Sequence, residues 1–141
     1  MSEDQIAISR RVIEEGFNQG NLDVIDELCT DDFVAHDPLS GDEDRAAAKA
    51  STTMYRSAFP DLHFTIEDAF EAGDKVVLRW TGVGTFENEL MGLQPTHERG
   101  EPIEGITIDR FEGGKIAESW TSWNTFQLMK DLGAVPEQAP A

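Results

Sequence analysis

Two glycine-containing turns in the second half of the chain restrict what it can fold into more than any other feature. Strand-like runs from about 62 to 86 surround Ala72-Gly-Asp74, and others from about 103 to 124 surround Gly113-Gly114. Short turns of this kind join neighbouring antiparallel strands. The sequence therefore predicts a meander of four antiparallel strands.

The first half of the chain shows helical patterns instead. Ile6, Ile13 and Phe17 fall near one face at helical spacing, which predicts a helix that ends by Gly20. A short amphipathic helix is predicted over 22–28. Helices that precede a run of strands indicate an α+β fold, with N-terminal helices against a curved antiparallel sheet.

Local start and stop signals refine this outline. Phe33-Val-Ala-His-Asp-Pro38 is predicted to be extended, because a proline disfavours helix in the residue before it. Ser40-x-x-Glu43 resembles a capping box and predicts the start of an alanine-rich helix that runs to about Ala58. Asn124 or Thr125 is expected to cap a last helix.

The chain carries a strong negative charge. Its 11 Lys and Arg residues against 28 Asp and Glu residues give a net charge of −17. Such a surface repels phosphate backbones, so we expect no nucleic-acid partner. The acidic residues are spread along the whole chain, which favours a protein adapted to high salt over an ordinary acidic protein.

Length and composition predict one cytoplasmic domain. The 141 residues suit a single domain over 1–135 and a loose tail, rich in Pro and Ala, over 136–141. No apolar run is long enough to span a membrane, and the acidic N-terminus lacks the features of a signal peptide. Cys29 is the only cysteine, which indicates a reducing compartment.

Charge pairing sets the predicted register of the first hairpin. A three-residue loop over Ala72-Gly-Asp74 aligns Ile66 with Trp80 and Glu67 with Arg79, so that opposite charges meet and apolar residues meet. The side chains then expected on the inner face of the sheet are Phe64, Ile66, Phe70, Val76, Leu78, Trp80 and Phe86.

The second hairpin predicts an unusual pair of carboxylates. A two-residue turn at Gly113-Gly114 aligns Asp109 with Glu118 and Thr107 with Trp120. Like charges directly opposite each other destabilise a sheet unless water separates them or one holds a proton. A polar cavity with aromatic walls would accommodate them; a solvent-facing surface is the alternative.

The order and spacing of several short segments resemble the SnoaL-like polyketide cyclase family of the nuclear transport factor 2-like superfamily. The resemblance covers nearly the whole chain. The matching segments are Phe33-Val-Ala-His-Asp-Pro38, Phe59-Pro-Asp61, Ala72-Gly-Asp-Lys-Val76, Gly84-Thr85, Met91-Gly-Leu-Gln-Pro-Thr96, Gly114-Lys-Ile-Ala-Glu-Ser-Trp120 and Leu132-Gly133.

The resemblance implies a cone-shaped α+β fold, a homodimer and an enclosed, mostly apolar pocket for a small hydrophobic molecule. Some members of the family close rings by intramolecular aldol condensation without a metal or cofactor. The position of their acid/base aspartate resembles that of Asn124, whose neutral amide cannot take a proton from carbon. Phe86 stands where many relatives carry a histidine, so both departures remove titratable groups.

The candidate site residues follow from these patterns and from the resemblance. The candidates for acid/base catalysis are Asp109, Glu118 and His36, which stands beside Asp37. The alternative for His36 is a structural role. The alternative for Asp109 and Glu118 is that they are two surface carboxylates separated by water. No spacing of His, Cys and carboxylates suggests a metal site, and no cofactor motif is present. The candidates for ligand binding are Phe17, Trp80, Phe86, Met91, Trp120 and Asn124.

Two functional classes remain open at this point. The first is a cofactor-free enzyme, a polyketide or ester cyclase or an isomerase, that acts on a small hydrophobic carbonyl compound. The second is a non-catalytic protein that binds a small molecule in the same pocket. Ile106, Ile108 and Trp123 are expected on the outer face of the sheet, where they would form a homodimer interface.

Overall fold

The computed structural model describes residues 4–135, so the predicted tail over 136–141 lies outside the described residues. So does Ser2, where the pattern Ser2-x-x-Gln5 in the sequence predicts a capping box for the first helix. The helical segments are α1 Gln5–Arg11, a π-helical turn Val12–Phe17, α2 Asp23–Leu28, α3 Arg45–Ala58 and α4 Thr125–Asp131. The strands are β1 Cys29–Asp37, β2 Gly41–Glu43, β3 His63–Ala72, β4 Lys75–Val83, β5 Ile103–Glu112 and β6 Lys115–Trp123.

The predicted α+β fold is confirmed. The six strands form one open, curved sheet in the order β2-β1-β6-β5-β4-β3. The four predicted meander strands pair antiparallel, whereas β1 runs parallel to β6, so the sheet is mixed. In the described part of the chain, no helix is long and apolar enough to cross a membrane.

The predicted capping box at Ser40 is wrong. Asp37 accepts hydrogen bonds from the backbone N–H groups of Leu39 and Ser40, which turns the chain out of β1 and into β2. The third helix begins later, where the Asp44 side chain accepts from the backbone N–H of Ala47 at 2.8 Å. The hydrogen bonds of Asp37 therefore stabilise a turn at the position where the sequence predicts Ser40 as the helix cap.

A β-bulge changes the register of the first hairpin. The turn contains two residues rather than three, because Ala72 pairs with Lys75. Phe70 therefore points outward and is exposed, contrary to the prediction. A register shift between Ile66 and Asp68 restores the predicted pairing of Ile66 with Trp80. Asp68 then replaces Glu67 as the partner of Arg79, with Nε–Oδ2 at 2.6 Å.

A second bulge overturns the predicted carboxylate pair. Glu112 pairs with Lys115 as predicted, but the register shifts between Arg110 and Phe111, so that Arg110 lies opposite Glu118. Asp109 consequently pairs with Ser119 and faces inward, while Glu118 faces outward. The one additional residue moves every later side chain of β6 to the other face of the sheet.

Candidate functional site

A cavity of about 230 Å³ lies between the inner face of the sheet and the helices. Helices α1 and α3 and the π-helical turn contribute one wall, and the strands contribute the other. Its walls are mostly apolar, as in small-molecule sites. The aromatic residues of the lining are Phe17, Phe33, Tyr55, Phe59, Phe64, Trp80 and Trp123.

Two glycines allow aromatic rings to lie against the sheet. Gly105 is opposite Trp80 in the sheet, and a Cβ atom on Gly105 would lie 2.2 Å from Cζ2 of Trp80. A Cβ on Gly82 would likewise lie 2.6 Å from Cε1 of Phe64. The rings of Phe64 and Trp80 meet edge to face with their centroids 5.1 Å apart. These close approaches fix the aromatic wall of the cavity.

The hydroxyl groups of two threonines hold Trp80 in this wall. The indole Nε1 of Trp80 donates a hydrogen bond of 3.0 Å to Oγ1 of Thr107. The hydroxyl oxygens of Thr107 and Thr121 are themselves 3.0 Å apart, across the β5–β6 pair. Both threonines line the cavity, so a row of paired polar groups crosses an otherwise apolar surface.

Asp109 is the buried carboxyl of the cavity. Its residue is only 6% exposed, and Oδ2 accepts a hydrogen bond of 2.7 Å from the hydroxyl of Ser9 on α1. Burial raises the pKa of Asp109 to about 6, and the hydroxyls of Ser9 and Ser119 partly oppose this rise. The group therefore changes its protonation state close to neutral pH, which suits an acid/base role.

Tyr55 of α3, which carries a phenolic hydroxyl, also lines the cavity. Among the described residues this hydroxyl has no hydrogen-bond partner, unlike those of Ser9 and Thr107. Burial, together with the negative charges of Asp37 and Glu43, raises the pKa of Tyr55 to about 12. At neutral pH the phenol is thus protonated and available to donate to a ligand oxygen.

The structure brings four of the predicted site residues to the cavity. Phe17, Trp80, His36 and Asp109 line it. Phe86 does not: it is buried in a separate apolar cluster and stacks on Phe59, with the ring centroids 5.6 Å apart. The loop containing Met91 leaves that side chain exposed to solvent.

Asn124 and Trp120 also lie outside the cavity lining. The side chain of Asn124 is exposed and caps α4, where its Oδ1 accepts from the backbone N–H of Gln127 at 3.1 Å. The bulge in β6 turns Trp120 to the outer face, where it is 36% exposed, and brings Trp123 inward. The indole of Trp123 donates to Oδ2 of Asp37 at 2.9 Å.

Glu118 belongs to an ion-pair network at the outer edge of the site. His36 places Nε2 at 2.7 Å from Oε2 of Glu118 and Nδ1 at 2.7 Å from Oδ1 of Asp42. Arg110 approaches the other oxygen of Glu118 at 3.3 Å, and the His36 ring stacks on Trp120. Glu118 and Asp42 raise the pKa of His36, and His36 and Arg110 lower that of Glu118. Two fixed, charged partners fit a structural role for this histidine better than a general base.

Sequence reasoning missed the cavity residues Ser9, Tyr55, Thr107, Thr121 and Trp123. Ser9 stands four residues before Ile13, on the helix face that points to the sheet, and this spacing is the only sequence signal for it. Thr121 and Trp123 depend on the bulge in β6, and Tyr55 depends on the packing of α3. Thr107 lies in the same row of β5 as Asp109 but was not named as a candidate. Within residues 4–135, no three His, Cys, Asp or Glu side chains are grouped so that they could hold a metal ion.

The helices, the curved sheet and the cavity between them define an α+β protein of the nuclear transport factor 2-like type. A family model described as SnoaL-like polyketide cyclase matches residues 7–132, and the chain therefore belongs to this family. A search of functionally curated proteins found no match.

Solved structures agree with this assignment. AclR from Streptomyces galilaeus, a proposed hydroxylase, is 27% identical with a TM-score of 0.81, over 93% of this chain and 85% of that one. IdmH from Streptomyces antibioticus, a proposed polyketide cyclase, is 27% identical with a TM-score of 0.77, over 92% and 99%. A SnoaL-like protein from Jannaschia sp. CCS1 shares the fold at 21% identity, with a TM-score of 0.82 over 96% and 99%.

Proposed function

We propose that this protein is an acid/base catalyst for a small hydrophobic carbonyl compound, with Asp109 as the group that transfers the proton. The observation that carries the proposal is the place of this carboxyl, which is buried at the wall of an aromatic cavity. A carboxyl with a pKa of about 6 is deprotonated at neutral pH and still readily accepts a proton in the reaction.

The proposed chemistry begins at the carbon next to a carbonyl group. The Asp109 carboxylate removes a proton from this carbon, and the electron pair of the C–H bond forms an enolate. We assign to the Tyr55 hydroxyl the hydrogen bond that stabilises the enolate oxygen, because it lines the same cavity without another described partner.

The fate of the enolate decides between the two reaction types. In a cyclase, the enolate carbon attacks a second carbonyl of the same molecule, and the protonated Asp109 returns its proton to the resulting alkoxide. In an isomerase, Asp109 returns the proton to a different carbon. Membership of the SnoaL-like polyketide cyclase family and the description of IdmH support the cyclase type.

Binding without catalysis is the second candidate, and one observation favours it. Asn124 occupies the position that resembles the acid/base aspartate of cyclases, yet it caps α4 at the surface. If the reaction of the family requires a carboxyl at that position, this chain would retain only the cavity.

Hydrogen exchange distinguishes the two candidates without knowledge of the natural substrate. The probe is 2-tetralone, a bicyclic ketone with acidic hydrogens next to its carbonyl, followed by NMR in D₂O. The protein is expected to accelerate exchange, with a rate that rises through a pH near 6, and Asp109→Asn is expected to abolish the acceleration. Glu104→Gln is the matched control, because Glu104 lies on the same strand but is exposed.

The contrary result is equally specific. If 2-tetralone shifts the indole resonances of Trp80 and Trp123 but exchanges no faster than in buffer, the cavity binds without catalysis. If exchange is accelerated equally by wild type and Asp109→Asn, another group is the base and the assignment of Asp109 is wrong.

A further inference from the structure

The charged groups around the cavity are almost all of one sign. Within the described range 4–135, five carboxylate residues line it, and no lysine or arginine does. They are Asp37, Glu43, Glu101, Asp109 and Asp131. His36 is the one basic residue among the described lining residues, and its two ring nitrogens are engaged by Asp42 and Glu118.

The cavity carboxylates lack cationic partners. Asp37 is held by the neutral N–H groups of Trp123, Leu39 and Ser40. Glu43 accepts from the hydroxyl of Ser51. These neutral donors fix the carboxylates in place without cancelling their charge.

Asp109 and Asp131 follow the same pattern, whereas Glu101 is exposed to solvent. Asp109 accepts from Ser9, and Asp131 accepts from Gln127 at 2.8 Å and weakly from the backbone of Glu101. None of the five carboxylate residues takes part in a salt bridge among residues 4–135, although carboxylates elsewhere on the surface form many.

Aromatic walls complement this charge. Trp80, Trp123 and Tyr55 line the cavity, and the faces of aromatic rings attract cations. A carboxylate ligand would meet like charges in a setting of reduced dielectric, with no arginine or lysine to compensate.

We propose that the cavity selects its ligand by charge: it prefers a hydrophobic molecule that carries a protonated amine over its neutral counterpart, and it excludes the corresponding carboxylate. The inference rests on the proposed use of this cavity as the ligand site. It deepens that function by giving the carbonyl compound a basic nitrogen and by ruling out free carboxylic acids.

Three probes of matched size test the charge preference. They are 1-naphthylmethylamine, 1-naphthalenemethanol and 1-naphthoate, titrated at pH 7.5 in 1 M NaCl. The salt shortens the screening length to about 3 Å, so the net charge of −17 no longer attracts cations to the surface at long range. The readout is NMR of the indole N–H groups, since Trp80 and Trp123 line the cavity and Trp120 lies outside it.

The amine is expected to bind about tenfold more tightly than the alcohol. It should shift Trp80 and Trp123 but not Trp120, and naphthoate should shift none of them. Asp109→Asn should reduce the ratio of amine to alcohol affinity while the alcohol still binds. Glu104→Gln changes the net charge equally at an exposed position of the same strand, and it should keep the ratio of the wild type.

Failure of this inference is distinguishable from failure of the proposed function. If the alcohol binds at least as tightly as the amine, or if naphthoate shifts Trp80 and Trp123, selection by charge is overturned and the cavity remains a ligand site. An equal loss of the ratio in Glu104→Gln and Asp109→Asn also overturns it, because the effect would then come from net charge. If no probe shifts Trp80 or Trp123, both proposals are overturned.

Discussion

The hydroxyl of Ser9 on α1 donates a hydrogen bond of 2.7 Å to Oδ2 of Asp109 on β5, across 100 residues of sequence. Both residues are buried, so this bond ties the first helix to the centre of the sheet at the cavity wall. It also holds the carboxyl in one orientation and favours its charged form.

Removal of this hydroxyl should therefore move the titration of the carboxyl. In Ser9→Ala the pKa of Asp109 is expected to rise above about 6, because burial would act with less opposition. Stability should fall by about 1–3 kcal/mol at neutral pH, the usual cost of a lost hydrogen bond to a charged group. Carboxyl NMR and chemical denaturation measure the two effects. Ser122→Ala, at an exposed position, is the control. If the pKa of Asp109 is unchanged in Ser9→Ala, Ser119 rather than Ser9 stabilises the charged carboxylate.

The stability of the protein should depend on pH through Asp109. Its folded pKa of about 6 lies above the unfolded value of 3.8, so the folded state binds more protons between these values and loses stability as pH rises through them. Asp109→Asn removes this penalty. Relative to wild type, the variant should gain about 2 kcal/mol between pH 4 and pH 7. Denaturation at both pH values measures this, and a difference that stays constant with pH would show that the carboxyl is not desolvated.

The ion pairs of His36 predict a pH dependence of stability in the same direction, but from a favourable interaction rather than from a desolvation penalty. Because Glu118 and Asp42 raise its pKa, protonated His36 stabilises the fold below its unfolded pKa, and this contribution is lost as pH rises through the folded pKa. Glu118→Gln should lower the pKa of His36 more than Asp42→Asn, because the bond to Glu118 is the larger cause. Imidazole NMR titration measures both, and the reverse order would contradict this network.

The close approach at Gly105 predicts a specific steric effect. In Gly105→Ala the new Cβ would lie 2.2 Å from Cζ2 of Trp80, so the ring has to leave its position against the sheet. We expect a loss of about 1–3 kcal/mol from overpacking and a changed indole resonance of Trp80. Glu104→Ala, one residue away with an exposed side chain, is the control. An unperturbed Trp80 resonance would show that the strands separate instead.

The outer face of the sheet supports a homodimer proposal. Ile106 is 47% exposed there, next to Ile108 and Trp120, which pair across β5 and β6. Trp123 was predicted for this face but points inward. Sedimentation in high salt should show a dimer of the 15.6 kDa chain, and Ile106→Lys should dissociate it. Glu14→Lys makes the same charge change at an exposed position of the π-helical turn, on the opposite side of the sheet, and should leave the dimer intact. A wild-type monomer would refute the proposal.

Much of the fold could be predicted from the sequence alone. The apolar periodicities of the first half and the two glycine turns of the second half act locally, so the α+β class, the four meander strands and their order along the chain were predicted correctly. The Gly113-Gly114 turn even fixed the pairs nearest to it, such as Glu112 with Lys115. Local rules are reliable there because turn geometry restricts only the residues next to it.

Only the tertiary structure decided which side chains meet in the cavity. One bulge in each hairpin shifts the register by one residue, and in β6 this shift separates Asp109 from Glu118 and exchanges Trp120 for Trp123. Nothing in the flanking sequence marks these bulges. They form because the whole inner face must pack against distant helices, as the contact between Ser9 and Asp109 illustrates. Since side chains alternate between the two faces of a sheet, one inserted residue moves every later side chain to the opposite face.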